Sequence, residues 1–282
     1  MSEDLSVKLL LDTETVALRD VICRGECRHK SAEECARSTY LVFPYQGVFM
    51  RHLDSDEVVG EANQVMLFNQ HEGYRISHPV EGGDACLSIA IDETLLRELA
   101  PKELVREGRS GDPAVLAFEH QRLRIDARAQ ALVALLRHGL QREVIETLEA
   151  EVLVLTLVKR ALGERTSHVA RASAGRRKLV DRAKLALTSD LGRRWTLAEI
   201  AAVVGVSPVY LTQVFQQVEG MPLYRYQLRL RLARALDLLP EYDDLTTLSM
   251  ELGFSSHSHF SSAFRQAYER TPKEFQQLVR RR

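Results

Sequence analysis

The N-terminal third of the chain carries its apolar residues in short runs: Thr15–Cys23, Ser38–Phe43, Gly47–Leu53, Gln64–Phe68 and Ala85–Ile91. These runs are rich in Val, Ile, Leu, Phe and Tyr, and Gly60, Asn63, Pro79, Gly82 and Gly83 fall between several of them. Short strands at this spacing predict a small sandwich or barrel. The period then changes. Asp92–Ala100 predicts a short helix capped by Asp92. From Arg124 to Leu162 the pattern is helical, with Leu132, Leu135 and Leu136 on one face and a break near Gly139. Beyond it Val144, Leu148, Val152, Leu155 and Val158 or Leu162 recur every three to four residues. That is one stripe along a helix. Ile145, Leu153 and Leu157 widen it beyond what one neighbouring sheet covers, which predicts a dimer contact.

Residues 164–176 lack periodicity and read as a linker. The predicted division is 1–163, a sensor and dimerisation domain, then the linker, then 177–282. The last part reads as all helix: Lys178–Ser189, Leu197–Val204, Pro208–Glu219, Leu223–Leu239, Leu245–Leu252, Ser258–Tyr268 and Lys273–Val279. Within it a pattern occurs twice, in about 196–217 and 246–268. Each copy ends in Phe, at Phe215 and Phe264, and is followed by Pro, at Pro222 and Pro272. A repeat means two copies of one structural unit.

The first copy has the chemistry of a helix-turn-helix. Thr196 and Glu199 form a capping box, and Leu197, Ile200 and Ala201 are placed inward. Gly205 suits a left-handed helix end, and Ser207 with Pro208 starts the next helix. Leu211 and Phe215 anchor that second helix, leaving Val209, Thr212, Gln213 and Gln216 outward. In the second copy Leu248, Leu252 and Phe254 pack inward, Gly253 makes the turn, and Ser255 or Ser256 caps. Phe260 and Phe264 are the anchors. His257, Ser258, His259, Ser261, Ser262 and Arg265 face out. The second helix of such a unit enters the DNA major groove, where short polar and amide side chains read base edges.

Gly253-Phe-Ser-Ser-His-Ser-His-Phe-Ser-Ser-Ala-Phe-Arg265, Thr271-Pro272, Phe275 and the stretch Arg229–Leu239 together resemble the DNA-binding domain of the AraC/XylS family. The resemblance covers about Lys178 to Val279. Such domains usually carry Gly just after the second recognition helix, where this chain has Glu269. More weakly, Leu41–His52, Val65–Asn69 and Gly83–Cys86 resemble the cupin-like sensor domain of the same family.

The resemblance implies an α+β, two-domain protein: a cupin-like β-barrel with dimerisation helices, then an all-α domain with two helix-turn-helix units. It implies a sequence-specific transcription regulator and not an enzyme. The expected partners are promoter DNA, RNA polymerase, a small-molecule effector and a second copy of the chain, and the common outcome is activation. Expected base contacts are Val209, Thr212, Gln213, Gln216, His257, Ser258, His259 and Ser262. Expected phosphate contacts are Arg193, Arg194, Arg225, Arg229, Arg265 and Lys273. The joining helix 223–239 should hold the two recognition helices about one turn of DNA apart. Val144, Leu148, Val152 and Leu155 would form the dimer helix, and His71, Tyr74 and Arg75 an effector pocket.

Charge and cysteines adjust this picture only slightly. The net charge of −1 hides an asymmetry, since Arg177–Arg282 holds 16 Lys+Arg against 11 Asp+Glu. A basic C-terminal part suits nucleic acid. No apolar run reaches the roughly 18 residues of a membrane span, and Met1–Lys8 does not read as a leader. The expected location is the cytoplasm, where Cys23, Cys27, Cys35 and Cys86 would be thiols. Cys23, Cys27, His29 and Cys35 admit an alternative: a thiol- or metal-responsive regulator, or a hybrid with an Ada-like DNA alkyl acceptor. The set lacks the second Cys pair of a zinc site. His52, His71, Glu72 and His78 lack the His-x-His of metal-binding cupins, so neither a metal nor a cofactor is assigned.

Overall fold

The computed structural model describes residues 5–25, 29–54, 56–107, 116–164, 168 and 172–280. Cys27 and six residues of the expected linker, 165–167 and 169–171, lie outside them. The chain divides into two compact units, Met1–Val169 and Ala170–Arg282.

Unit 1 is built on β1 (Leu5–Asp12), β2 (Val16–Cys23), β3 (Glu34–Cys35), β4 (Tyr40–Gly47), β5 (Phe49–Leu53) and β6 (Asp56–Gly60). They are followed by β7 (Gln64–Phe68), β8 (Gly73–Ser77), β9 (Asp84–Ile91), helix α1 (Glu93–Leu99), β10 (Val105–Glu107), β11 (Leu116–Phe118) and β12 (Arg122–Arg124). Helices α2 (Ala127–Gln141) and α3 (Thr147–Leu162) complete the unit. The six-stranded antiparallel sheet has the order β1-β2-β9-β4-β7-β12, and a second sheet has the order β3-β8-β5-β6. Alternation along β9 explains how they stack. Ala85, Leu87, Ile89 and Ile91 point into a core shared with Leu96 of α1, Val133 and Leu136 of α2, and Val154, Leu157 and Val158 of α3. Cys86 points the other way, into a core with Val42, Met66 and Phe68 of the same sheet and Phe49 and Val58 of the second.

The expected barrel is corrected by this topology. Among the described residues the sheet-rich unit consists of separate sheets and is not one closed barrel. The runs that announced the strands carry no information about closure. Strand β1 was not anticipated: Leu5, Val7 and Leu9 are exposed, and charged or polar residues separate them. The expected helix 144–162 starts only at Thr147, so Val144 lies before it in the turn after α2, where its N–H donates to Gly139 O at 2.9 Å.

Unit 2 contains α4 (Ala174–Ser189), α5 (Leu197–Val204), α6 (Pro208–Glu219), α7 (Leu223–Leu238), α8 (Leu245–Glu251), α9 (His257–Tyr268) and α10 (Pro272–Arg280). Its core combines Val180 and Leu187 of α4 with Ile200, Leu211, Phe215, Tyr226, Leu230, Leu248, Phe260, Phe264 and Phe275, all almost fully buried. Phe215 meets Tyr226 edge-on at 5.2 Å, and Phe264 packs on Phe260, Tyr268 and Phe275. A fully buried Lys184 lies 2.6 Å from Glu219 and 3.8 Å from Asp181, which ties α4 to the last turn of α6. Leu197, placed inward by its periodicity, is 38% exposed because it opens the first turn of α5, ahead of the turn that packs.

Candidate nucleic-acid interface

Each half of unit 2 is a pair of helices joined by a tight turn, built by the same local rules. Thr196 and Glu199 form a reciprocal capping box at α5, and Gly205 closes that helix in the left-handed region at φ 76°. Ser207 Oγ accepts from Tyr210 N at 3.2 Å to start α6. In the second half Asp244 caps α8 through Thr246 N and Thr247 N. Gly253 turns the chain at φ 77°. Ser256, not Ser255, caps α9, its Oγ accepting from His259 N at 3.1 Å. Both second helices are 12 residues long, and both end in a left-handed residue, Gly220 at φ 66° and Glu269 at φ 60°. Glu269 thus takes the conformation that Gly holds in the first copy, at the strain cost of an L-residue there.

The faces left outside are those that a groove-reading helix needs. On α6, Val209 is 68% exposed, and Thr212, Gln213 and Gln216 are exposed while Leu211, Val214, Phe215 and Val218 are buried. On α9, His257, Ser258, His259, Ser262 and Arg265 are exposed above buried Phe260, Ala263 and Phe264. His259 is held at one edge: Nδ1 is 3.0 Å from Ser255 Oγ and the ring meets Phe254 edge-on at 5.4 Å. Its Nε2 is the ring's other hydrogen-bonding atom. Tyr210, which the sequence reading passed over, is 43% exposed and stands third after its capping serine, as His259 does. A pattern that counts Tyr as core-forming hides it.

The basic residues differ in how firmly they are placed. Arg225, Arg265 and Lys273 are exposed and Arg229 is half-exposed. Arg193 bridges to Glu199 at 2.7 Å and covers the Trp195 ring at 4.0 Å. Arg194 donates to Phe254 O at 3.2 Å. A residue that the sequence reading did not single out joins the two halves. Arg231 of α7 donates to Leu191 O at 2.9 Å, to Gly253 O at 3.0 Å and to Arg193 O at 2.7 Å. Its guanidinium therefore grips the turn of the second helix-turn-helix and the loop entering the first at once. The close approach demands a glycine at 253, where a Cβ would overlap Gly192 O.

Residues 200–278 match the family model described as a helix-turn-helix domain. Over 251 residues the chain is 26% identical to the probable transcriptional regulator LumQ of Photobacterium leiognathi, covering 86% of this chain and 93% of LumQ. It is 32% identical to a transcriptional regulator of Chromobacterium violaceum, known from a crystal structure and described as a protein with an AraC-type DNA-binding domain. That match covers 38% of this chain and 96% of the other, with a TM-score of 0.35. Residues 200–278 therefore carry the AraC-type helix-turn-helix domain of a DNA-binding transcriptional regulator. Over 64 residues it is also 42% identical to the transcriptional activator RhaS of Pectobacterium carotovorum, 22% of this chain and 23% of RhaS.

In this AraC-type regulator the residues expected to form an effector pocket do not converge. Tyr74 and Arg75 alternate on β8. Tyr74 faces the inter-sheet core, 4.9 Å from Phe68, with its hydroxyl 3.2 Å from that of Tyr40. Arg75 lies on the outer face, 3.2 Å from Glu33. His71 sits in an exposed turn at φ 62°. The inter-sheet core instead holds a fully buried Arg51, which covers Phe68 at 3.8 Å, donates to Leu67 O at 2.7 Å and meets Glu72 at 2.8 Å. Of the expected dimer helix, Leu148 is 71% and Val152 56% exposed, whereas Leu155 is half-buried. Cys23 ends β2 in the six-stranded sheet and Cys35 ends β3 in the other.

Proposed function

We propose that the chain binds promoter DNA sequence-specifically, with α6 and α9 in successive major-groove segments on one face of the duplex. The reading rests above all on one observation: two helices with matching serine N-caps, the same length and the same terminal residue conformation, set in two helix-turn-helix halves whose loop before α5 and turn before α9 are joined by Arg231. Val209, Thr212, Gln213 and Gln216 read one half of the site, and His257, Ser258, His259 and Ser262 the other. Arg193, Arg194, Arg225, Arg229, Arg265 and Lys273 take phosphates. The protein is a regulator rather than an enzyme. Similarity to RhaS, a transcriptional activator, supports activation, with RNA polymerase as the further partner. Unit 1 is the part that takes the signal, from a small-molecule effector, and pairs two copies through Leu148 and Val152 of α3. Among the described residues no single helix is long and apolar enough to cross a membrane, and the working place of such a regulator is the cytoplasm.

The test is the salt dependence of the full chain on a duplex selected from random sequence. Each phosphate neutralised releases a counterion, so several contacts give a log–log slope on the order of −4 to −8. A slope near zero would contradict DNA as the partner.

A further inference from the structure

Register places four metal-binding side chains at one end of the inter-sheet core of unit 1. Cys23, the last residue of β2, pairs directly with Asp84, the first of β9. Cross-strand partners share a face, and so does Cys86, two residues further on. His78 arrives from the other sheet, just past the end of β8. His78 Nε2 lies 2.5 Å from Asp84 Oδ1, and Cys86 Sγ donates to Asp84 Oδ2 at 3.0 Å. Ligand atoms of Cys23, His78 and Asp84 all fall within 4.8 Å of one another. His78, Asp84 and Cys86 are buried, while Cys23 is half-exposed, so the thiol side of the cluster faces a way in. The chain closes tightly over it, since a Cβ at Gly83 would overlap the Cys23 carbonyl oxygen.

We infer that Cys23, His78 and Asp84 form a binding site for a divalent transition ion, zinc by its chemistry. The donors are one sulfur, one imidazole nitrogen and one carboxylate oxygen, the mixed set that suits a borderline ion. One thiolate and one carboxylate neutralise a dication, leaving no net charge in a buried place, where uncompensated charge is costly. On binding, the thiol proton of Cys23 leaves to solvent and its lone pair goes to the ion, and the proton between His78 Nε2 and Asp84 Oδ1 also gives way, taken up at Nδ1 of the neutral ring or released to solvent. The His78–Asp84 separation opens from 2.5 Å to about 3.3 Å, the spacing of two ligands at about 2.0 Å around a tetrahedral ion. Cys86 remains on the outer oxygen of Asp84 and orients it, a role that outer partners of metal ligands commonly play. Three protein ligands leave the fourth position to water, as in sites that are not closed structural zinc. The site lies wholly within unit 1 and does not depend on the DNA-binding reading.

The experiment uses full-length protein stripped with a chelator and titrated with Co2+. The expected result is one equivalent bound per chain, with thiolate-to-cobalt charge-transfer absorption that Zn2+ bleaches by displacement. Zn2+ should also raise the melting temperature, because a ligand of the folded state stabilises it. Cys23→Ser and His78→Gln should each lose the absorption and weaken binding more than about 100-fold, while Cys86→Ala keeps the absorption and weakens binding about 10- to 100-fold. Cys35→Ser should change neither. The inference is overturned if the wild-type protein shows no charge-transfer band. It is equally overturned if the band survives Cys23→Ser or His78→Gln, or is lost in Cys35→Ser.

Discussion

Glu269 ends α9 at φ 60°, a conformation that costs an L-residue roughly 1–2 kcal/mol and costs Gly little. Glycine gives back part of the gain through its larger unfolded-state entropy. Glu269→Gly is therefore expected to stabilise the protein by up to about 1 kcal/mol, read as a melting temperature a few degrees higher; an unchanged or lower value contradicts the strain. The sequence already marked this position, because the residue departs from the family's habit. Lys184 is the opposite case. It sits in a run whose helical pattern gives no sign that an ammonium is fully buried against Glu219 and Asp181. Only the packing of α4 on α6 reveals it. Lys184→Ala leaves two buried carboxylates without their cation and should cost about 3–5 kcal/mol in denaturant unfolding. The exposed capping acids act more gently. Glu199 is held at about 2, first by the Thr196 backbone N–H, then by the Thr196 hydroxyl and Arg193. Asp244 and Glu274 are held low by their own capping bonds to Thr247 and Thr271. Their folded values lie below the unfolded ones, so the stabilisation is present above about pH 4.3 and fades as pH falls through the folded values. NMR titration of Glu199 with a midpoint near 4.3 would remove this account.

At the scale of elements, caps and turns were readable because they are local. Thr196 with Glu199, Ser207 with Pro208, and Gly253 each carry their conformation in a few residues. The start of α3 was not readable, since Val144 and Ile145 continue the apolar period although the helix begins only at Thr147. Nor was the clamp. Arg231 lies in a basic stretch of α7 that periodicity treats as solvated, yet it binds three backbone carbonyls from two separate segments. Arg231→Ala should lower stability by about 1.5–3 kcal/mol, the range for hydrogen bonds to a charged group. Its sharper signature is in binding. With the two helix-turn-helix halves no longer tied, affinity for the full site should fall about tenfold or more, while base preference within each half stays as it was. Lost preference in a single half would place Arg231 in contact with a base instead.

For the molecule as a whole, the division into Met1–Val169 and Ala170–Arg282 gives the second unit its own aromatic core. The isolated fragment 170–282 is expected to fold and to bind the site of the intact chain. Leu148→Glu with Val152→Glu should weaken self-association in sedimentation without unfolding the DNA-binding unit; a monomeric wild type would end the α3 interface. The strand-rich nature of unit 1 was legible in its short apolar runs. Its division into separate sheets and the meeting of Cys23, His78 and Asp84 were not, because both depend on strand register across residues far apart in sequence. The central claim is that two tied helices read two halves of one DNA site. Its most direct measurement is a selected-binding profile of Gln213→Ala beside His259→Ala. Each loss should relax preference at its own base positions by about 1–3 kcal/mol, the two sets lying about one helical turn apart. Changes at the same positions in both variants, or at none in either, would contradict the account.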